Sequence, residues 1–141
     1  MEHDVSRFVA AQDDGVYDQA LRELQAGWKT GHWIWFVLPQ VAGLGQSPMS
    51  RRYGLDGTGE ARAYLAHPVL GTRLRECCAA LLRLDGSDPV AVLGPVDAVK
   101  LRSSMTIFLR AAGEGEEGAP FRAVLDRYFG GEQDPETLAR I

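Results

Sequence analysis

The stretch KTGHWIWFVLPQVAGLGQS, residues 29–47, sets two tryptophans, a phenylalanine and a histidine within five positions, ahead of a glycine-rich polar run. Rings of this size either fill a core or wall a pocket in which they stack on a flat ligand group. Trp33, Trp35 and Phe36 spread over more than one helical face, so at least one ring turns away from the principal core. Trp33 and Phe36 are expected mainly in the core, and Trp35, His32 and the loop to Ser47 are expected to form a wall. Either Trp33 or Trp35 would supply the stacking surface. In PQVAGLGQSP, Gly43 and Gly45 permit left-handed backbone, and Ser47-Pro48 reads as a helix N-cap followed by its first residue. A glycine loop running into a helix start exposes free N–H groups to an anion; a plain turn between helices reads equally well. No strand–GxGxxG–helix unit is present.

A second polar group lies in DAVKLRSSMTIF, residues 97–108. Leu101, Met105 and Phe108 make the apolar stripe, while Lys100, Ser103 and Ser104 gather on another side. Serine competes with the helix backbone for hydrogen bonds and is an unusual choice in mid-helix. Short hydroxyls beside Lys100 and Arg102 suit a phosphate or ribose, and they suit close helix packing equally. The residues themselves offer Lys29, Trp33, Trp35, Ser47, Lys100, Ser103 and Ser104 as candidate ligand-binding groups. Asp13 and His32 are the candidate acid/base residues, although Asp13, Asp14 and Asp97 also read as helix caps and His32 as a structural histidine. His67, ahead of Pro68, is expected at a helix C-terminus that favours its charged form. No Ser-His-Asp order, HExxH or Walker loop appears, and no spacing suggests a metal site or a cofactor.

The elements that must position these groups carry the 3.6-residue period almost throughout. DDGVYDQALRELQAG opens with capping acids and stops at Gly27, with Asp18 and Arg22 spaced as an ion pair. HPVLGTRLRECCAALLRL starts on Pro68 and aligns Leu70, Leu74, Cys77, Leu81 and Leu84, the clearest helix in the chain. TGEARAYLAH, SDPVAVLGP, VDAVKLRSSMTIFLRAA, PFRAVLDRYFGG and DPETLARI read as further helices. HWIWFVL is apolar on all sides, so its period fits a buried strand or a buried helix; with no partner strand in view it is assigned to a short helix. The fold class is therefore all-α, a compact single-domain multi-helix bundle over 1–141. Residues 1–5 are expected as a mobile tail and 113–119 as a mobile Gly/Glu loop.

A chain of 141 residues is one domain by size, and 45% hydrophobic with 24% charged residues is an ordinary globular balance. The net charge of −4 argues against general nucleic-acid binding, which needs a basic footprint. The N-terminus lacks the apolar run of a secretory signal, and the longest apolar stretch, Trp33 to Leu38, is far short of a membrane span. A cytoplasmic protein is expected. Adjacent helical Cys77 and Cys78 diverge by about 100° and are poor disulfide partners.

Three blocks, RFVAAQD..VYDQALRELQAGWKTGHWIWFVLPQVAGLGQS, YLAHPVLGTRLREC and DAVKLRSSMTIF, together resemble the bacterial family known as domain of unknown function 1810. The likeness runs from about Phe8 to the DPETL near the end. Some relatives are labelled "calpastatin-like", a label this compact hydrophobic domain does not support. The resemblance implies a small, mainly helical cytoplasmic protein and no settled chemistry. It also marks Gln12, Tyr17, Gln40, Tyr53, His67 and Arg73 as polar motif members beside the candidates above, which adds Gln40 and Tyr53 to the candidate ligand-binding set, and Trp28 stands where a polar residue is expected. At the level of fold the family brings to mind small helical domains that process ADP-ribose derivatives. Three readings follow. One is a hydrolase of ADP-ribose-like N-glycosides with Asp13 or His32 as acid/base. Another is a non-catalytic module binding the same anionic ligand class or a protein. The third is a scaffold in which the motif residues are only core and caps.

Overall fold

The computed structural model describes residues 3–141, and its described residues form ten helices, α1 Ser6–Gln12, α2 Val16–Ala26, α3 Ile34–Val37, α4 Pro48–Tyr53, α5 Gly57–Ala66, α6 Pro68–Arg83, α7 Pro89–Leu93, α8 Pro95–Ala112, α9 Ala119–Phe129 and α10 Pro135–Leu138. The architecture is all-α. Extended pairing among the described residues is confined to one isolated bridge, Val41 with Leu55, closed by Leu55 N–H donating to Gln40 O and Ala42 N–H to Leu55 O, both 2.8 Å.

Helix α8 is the axis of the molecule. Its stretch 103–109 is buried at every position, so this half is enclosed on all sides by α5, α9 and α10. Its first half is amphipathic instead, with Ala98 and Leu101 inward and Val96 and Val99 exposed. A seam of rings crosses the core from Tyr53 of α4 to Phe8 of α1 (5.8 Å), Tyr64 of α5 (5.2 Å), Phe108 of α8 (5.2 Å) and Phe121 of α9 (5.8 Å). These tilted and edge-on pairs lock α8 to its neighbours on two sides. The helix punctuation follows the residues: Gly27 closes α2 at φ 77°, and Asp88, Ser47 and Asp134 accept backbone N–H groups at the starts of α7, α4 and α10.

Four local expectations are corrected. Gly15, at φ 82°, starts α2 in place of an acid: Asp13 closes α1, and Asp14 sits at φ 58°. Asp18 and Arg22 form no ion pair among the described residues. His67 sits at the end of α5 but serves the start of α6, where Nδ1 accepts N–H from Val69 and Leu70 at 3.2 and 3.3 Å. The imidazole thus serves as the N-cap of α6, a place usually taken by Ser, Thr, Asp or Asn. Val5, placed by the sequence in a tail, is buried against the core; residues 1 and 2 lie outside the described residues.

Cys77 and Cys78 are both buried and unpaired. Burial pushes the Cys77 thiol up to about 12 and raises Cys78 as well, so neither presents a thiolate.

Candidate functional site

Helix α3 is four residues long and too short to hold itself. Two side chains hold it, one buried and one half-buried. Gln12 Nε2 donates to Phe36 O at 2.8 Å and to Tyr64 Oη at 3.0 Å, satisfying a carbonyl at the helix end. At its start, Glu23 of α2 gathers the loop: Oε1 accepts Thr30 N–H (2.7 Å), Gly31 N–H (2.9 Å) and the Trp33 indole N–H (2.9 Å). Burial acts to raise the Glu23 pKa, but these bonds and one from Gln19 outweigh it and hold the group at about 2. Trp33 is thereby pinned in the core at 2% exposure, while Trp35, two positions on, remains half-buried.

Glu23 makes the first prediction. Its folded pKa lies below its ordinary 4.5, so its stabilisation is present above about pH 4.5 and drains away as the pH falls toward 2. Glu23→Gln should cost about 1–2 kcal/mol at pH 7, the scale of hydrogen bonds to a charged group at a partly exposed site. Urea titrations from pH 7 to pH 2 should show the wild-type advantage vanishing at the acid end.

Trp35 faces a cleft of about 700 Å³ between the 40–47 loop with the start of α4, the first turns of α8 and the start of α10. Its apolar wall is Trp35, Leu44, Pro95, Val96 and Val99; its polar groups include Gln40, Ser47, Ser50, Lys100, Ser103, Asp134 and Glu136. The Lys100 ammonium sits 3.5 Å from the centroid of the Trp35 ring, so one indole face carries a cation. The loop closes tightly, since a Cβ on Gly45 would lie 2.4 Å from Ser50 Oγ; Gly43, at φ 93°, alone of the pair needs left-handed backbone. Ser47 caps α4 through Ser50 N–H at 3.1 Å, as its position before Pro48 implies.

Asp97, expected as a cap, instead bridges two lysines: Oδ2 lies 2.6 Å from Lys29 Nζ and Oδ1 3.3 Å from Lys100 Nζ. The trio carries one net positive charge at the cleft edge. Lys29 is almost fully buried and reaches the cleft only through Asp97. One turn further along α8, Asp134 Oδ2 accepts Ser103 Oγ (2.9 Å), Thr137 N–H (3.1 Å) and Thr137 Oγ1 (2.6 Å). Burial acts against this carboxylate, but the Thr137 and Ser103 bonds, with Arg102 nearby, prevail and hold its pKa below the ordinary value.

Of the sequence candidates, Trp35, Gln40, Ser47, Lys100 and Ser103 line this one cleft. Tyr53 lines a narrow recess behind it with Trp35, Gln40 and Ser50. Trp33 is core. Ser104 is fully buried, its hydroxyl without a partner among the described residues, so its small size serves packing rather than the cleft. The two candidate acid/base residues fall elsewhere. Asp13 lines a separate hollow with His3, Val9 and His67, and His32 is exposed and lines neither this cleft nor the recess behind it. Exposed Trp28 belongs to a third surface, beside Arg22 and Thr30. Asp134, Glu136, Val96 and Val99 escaped the sequence reading. The valines did leave a signal, being apolar residues off the stripe of an otherwise amphipathic helix start.

A family described as "Protein of unknown function (DUF1810)" matches residues 2–141. The crystal structure of the conserved hypothetical protein Rv1873 from Mycobacterium tuberculosis is similar at 46% identity and a TM-score of 0.90, over 96% of this chain and 94% of that one. A search among curated proteins finds no match. No described helix is long and apolar enough to cross a membrane.

Proposed function

The chain belongs to the DUF1810 family, whose description assigns no activity, and we propose that its cleft binds a small anionic molecule of the ribose or nucleotide type. The observation that carries this reading is the convergence of Trp35, Lys100, Ser103, Gln40 and Ser47 on one hollow of about 700 Å³, a size suited to a nucleotide-sized ligand. The apolar wall receives a flat ring. Lys100, with ammonium protons to spare beyond its one long contact to Asp97, receives the anionic end.

The position of Asp13 and His32 outside the cleft favours a binding module without turnover over a hydrolase of ADP-ribose-like N-glycosides. Hydrolysis there would fall to the acids of the cleft itself, Asp134 and exposed Glu136. The test is calorimetric titration with AMP and with ADP-ribose, followed by prolonged incubation and chromatography of the ligand. Saturable binding with the ligand recovered intact is expected. Release of free adenine together with the remaining ribose phosphate, water supplying the anomeric hydroxyl, would establish the hydrolase, and binding of neither compound would overturn the reading.

A further inference from the structure

Resting on the cleft reading above, we infer that Asp134 reads the ribose hydroxyls of the ligand and makes the site discriminate ribonucleotides from deoxyribonucleotides. Asp134 is 8% exposed and yet lines the cleft. Its oxygen Oδ2 already takes three hydrogen bonds, from Ser103 and twice from Thr137, and its backbone N–H donates to Thr106 Oγ1 at 2.9 Å. The carboxyl group is therefore fixed in orientation by two helices, α8 and α10. Its second oxygen, Oδ1, takes no hydrogen bond from a described residue. An ionised carboxylate is an acceptor only, and Oδ1, unlike the enclosed Ser104 Oγ, keeps some exposure and stays open to a donor. The cleft is where a donor can arrive.

The surroundings select the kind of donor. Ser103 stands one helical turn after Lys100, which puts the two Cβ atoms about 5–6 Å apart on one face of α8. A cationic ligand group at Asp134 would meet the Lys100 ammonium, and an anionic one would meet the carboxylate itself. Neutral hydroxyls meet neither objection, and O–H···O⁻ bonds are among the strongest neutral-to-charged contacts. A ribose phosphate has the matching polarity: an anionic end for Lys100 and donor hydroxyls for Asp134, with the base left to the apolar wall.

The experiment measures calorimetric dissociation constants for AMP, 2′-deoxy-AMP, 3′-deoxy-AMP and 2′,3′-dideoxy-AMP on the wild-type protein and on Asp134→Asn. Asparagine is an equally good N-cap and keeps one oxygen for Ser103 and Thr137. In the wild type, loss of the hydroxyl taken by Asp134 should weaken binding about tenfold or more. Asp134→Asn should bind AMP with the affinity of the deoxy compounds and no longer rank the series. Equal wild-type affinities across the series, or undiminished ranking in Asp134→Asn, would overturn the inference while leaving the cleft reading in place. Binding of none of the four would overturn both. Should the variant fold poorly by circular dichroism, the wild-type series decides alone.

Discussion

Phe108→Ala is expected to lower the unfolding free energy by about 3–5 kcal/mol, the range for deleting a buried phenylalanine, in urea titrations followed by circular dichroism. The ring is fully buried in the C-terminal half of α8, 5.2 Å from Tyr64 and 5.8 Å from Phe121. Its removal takes away the transfer free energy of the side chain, leaves a cavity in a closely packed region, and cuts the aromatic seam at the one point where α5, α8 and α9 share it. Single domains are stable by only about 5–15 kcal/mol. The variant should therefore approach the threshold of folding at physiological temperature. Because α8 also carries Lys100 and Ser103, a loss of this size would show that the cleft is built on the most firmly held element of the molecule. A cost below about 1 kcal/mol would mean that α8 is not the packed axis described above.

The second large effect separates two lysines that share one aspartate. Lys100→Met is expected to weaken AMP binding by about 10- to 100-fold, the worth of a hydrogen bond to a charged group, with little change in stability. Lys100 is partly exposed, and after its loss Asp97 keeps Lys29 at 2.6 Å. Lys29→Met should do the reverse. Its ammonium is buried between Asp97 and the Gly31 carbonyl, so its removal strands the stronger half of the network and should cost about 1–3 kcal/mol. Calorimetry and urea unfolding on both variants check the contrast. Equal effects of the two substitutions on binding would remove the distinction between a ligand contact and a supporting one.

The long helices could be read from the sequence because their stripes are long: α6 runs 16 residues and α8 18, and both keep the helical period over several turns. The all-α class and the helix starts at Pro68, Pro89 and Pro135 follow from the same local rules. Trp33 reads as core and Trp35 as wall, and both sit so; the side chain that pins Trp33, Glu23, is not legible, because it lies ten residues upstream and reaches the indole only after the chain has folded back. The acids at 13 and 14 misled for a related reason: Gly15, in left-handed backbone, starts α2 and leaves them no helix N-terminus to cap. Asp134 reads in sequence as an ordinary cap before Pro135. That it also meets Ser103 on the cleft side is a contact across 31 residues, which no local pattern encodes. The serine pair of α8 shows both sides of the difficulty. Ser103 bonds Asp134 at the cleft, while Ser104 is enclosed, and their adjacent positions gave no basis for choosing between packing and ligand roles.

The three tryptophans occupy three different environments, which makes the central claim directly measurable. Trp28 is 71% exposed, Trp33 is held in the core by Glu23, and Trp35 walls the cleft under Lys100. In a ¹⁵N-labelled sample the three indole N–H signals can be assigned with single Trp→Phe variants and followed during titration with AMP. A saturable shift of the Trp35 signal, with those of Trp28 and Trp33 staying in place, is the predicted result. Movement of the Trp28 signal alone, or of none of the three at millimolar AMP, would contradict the account.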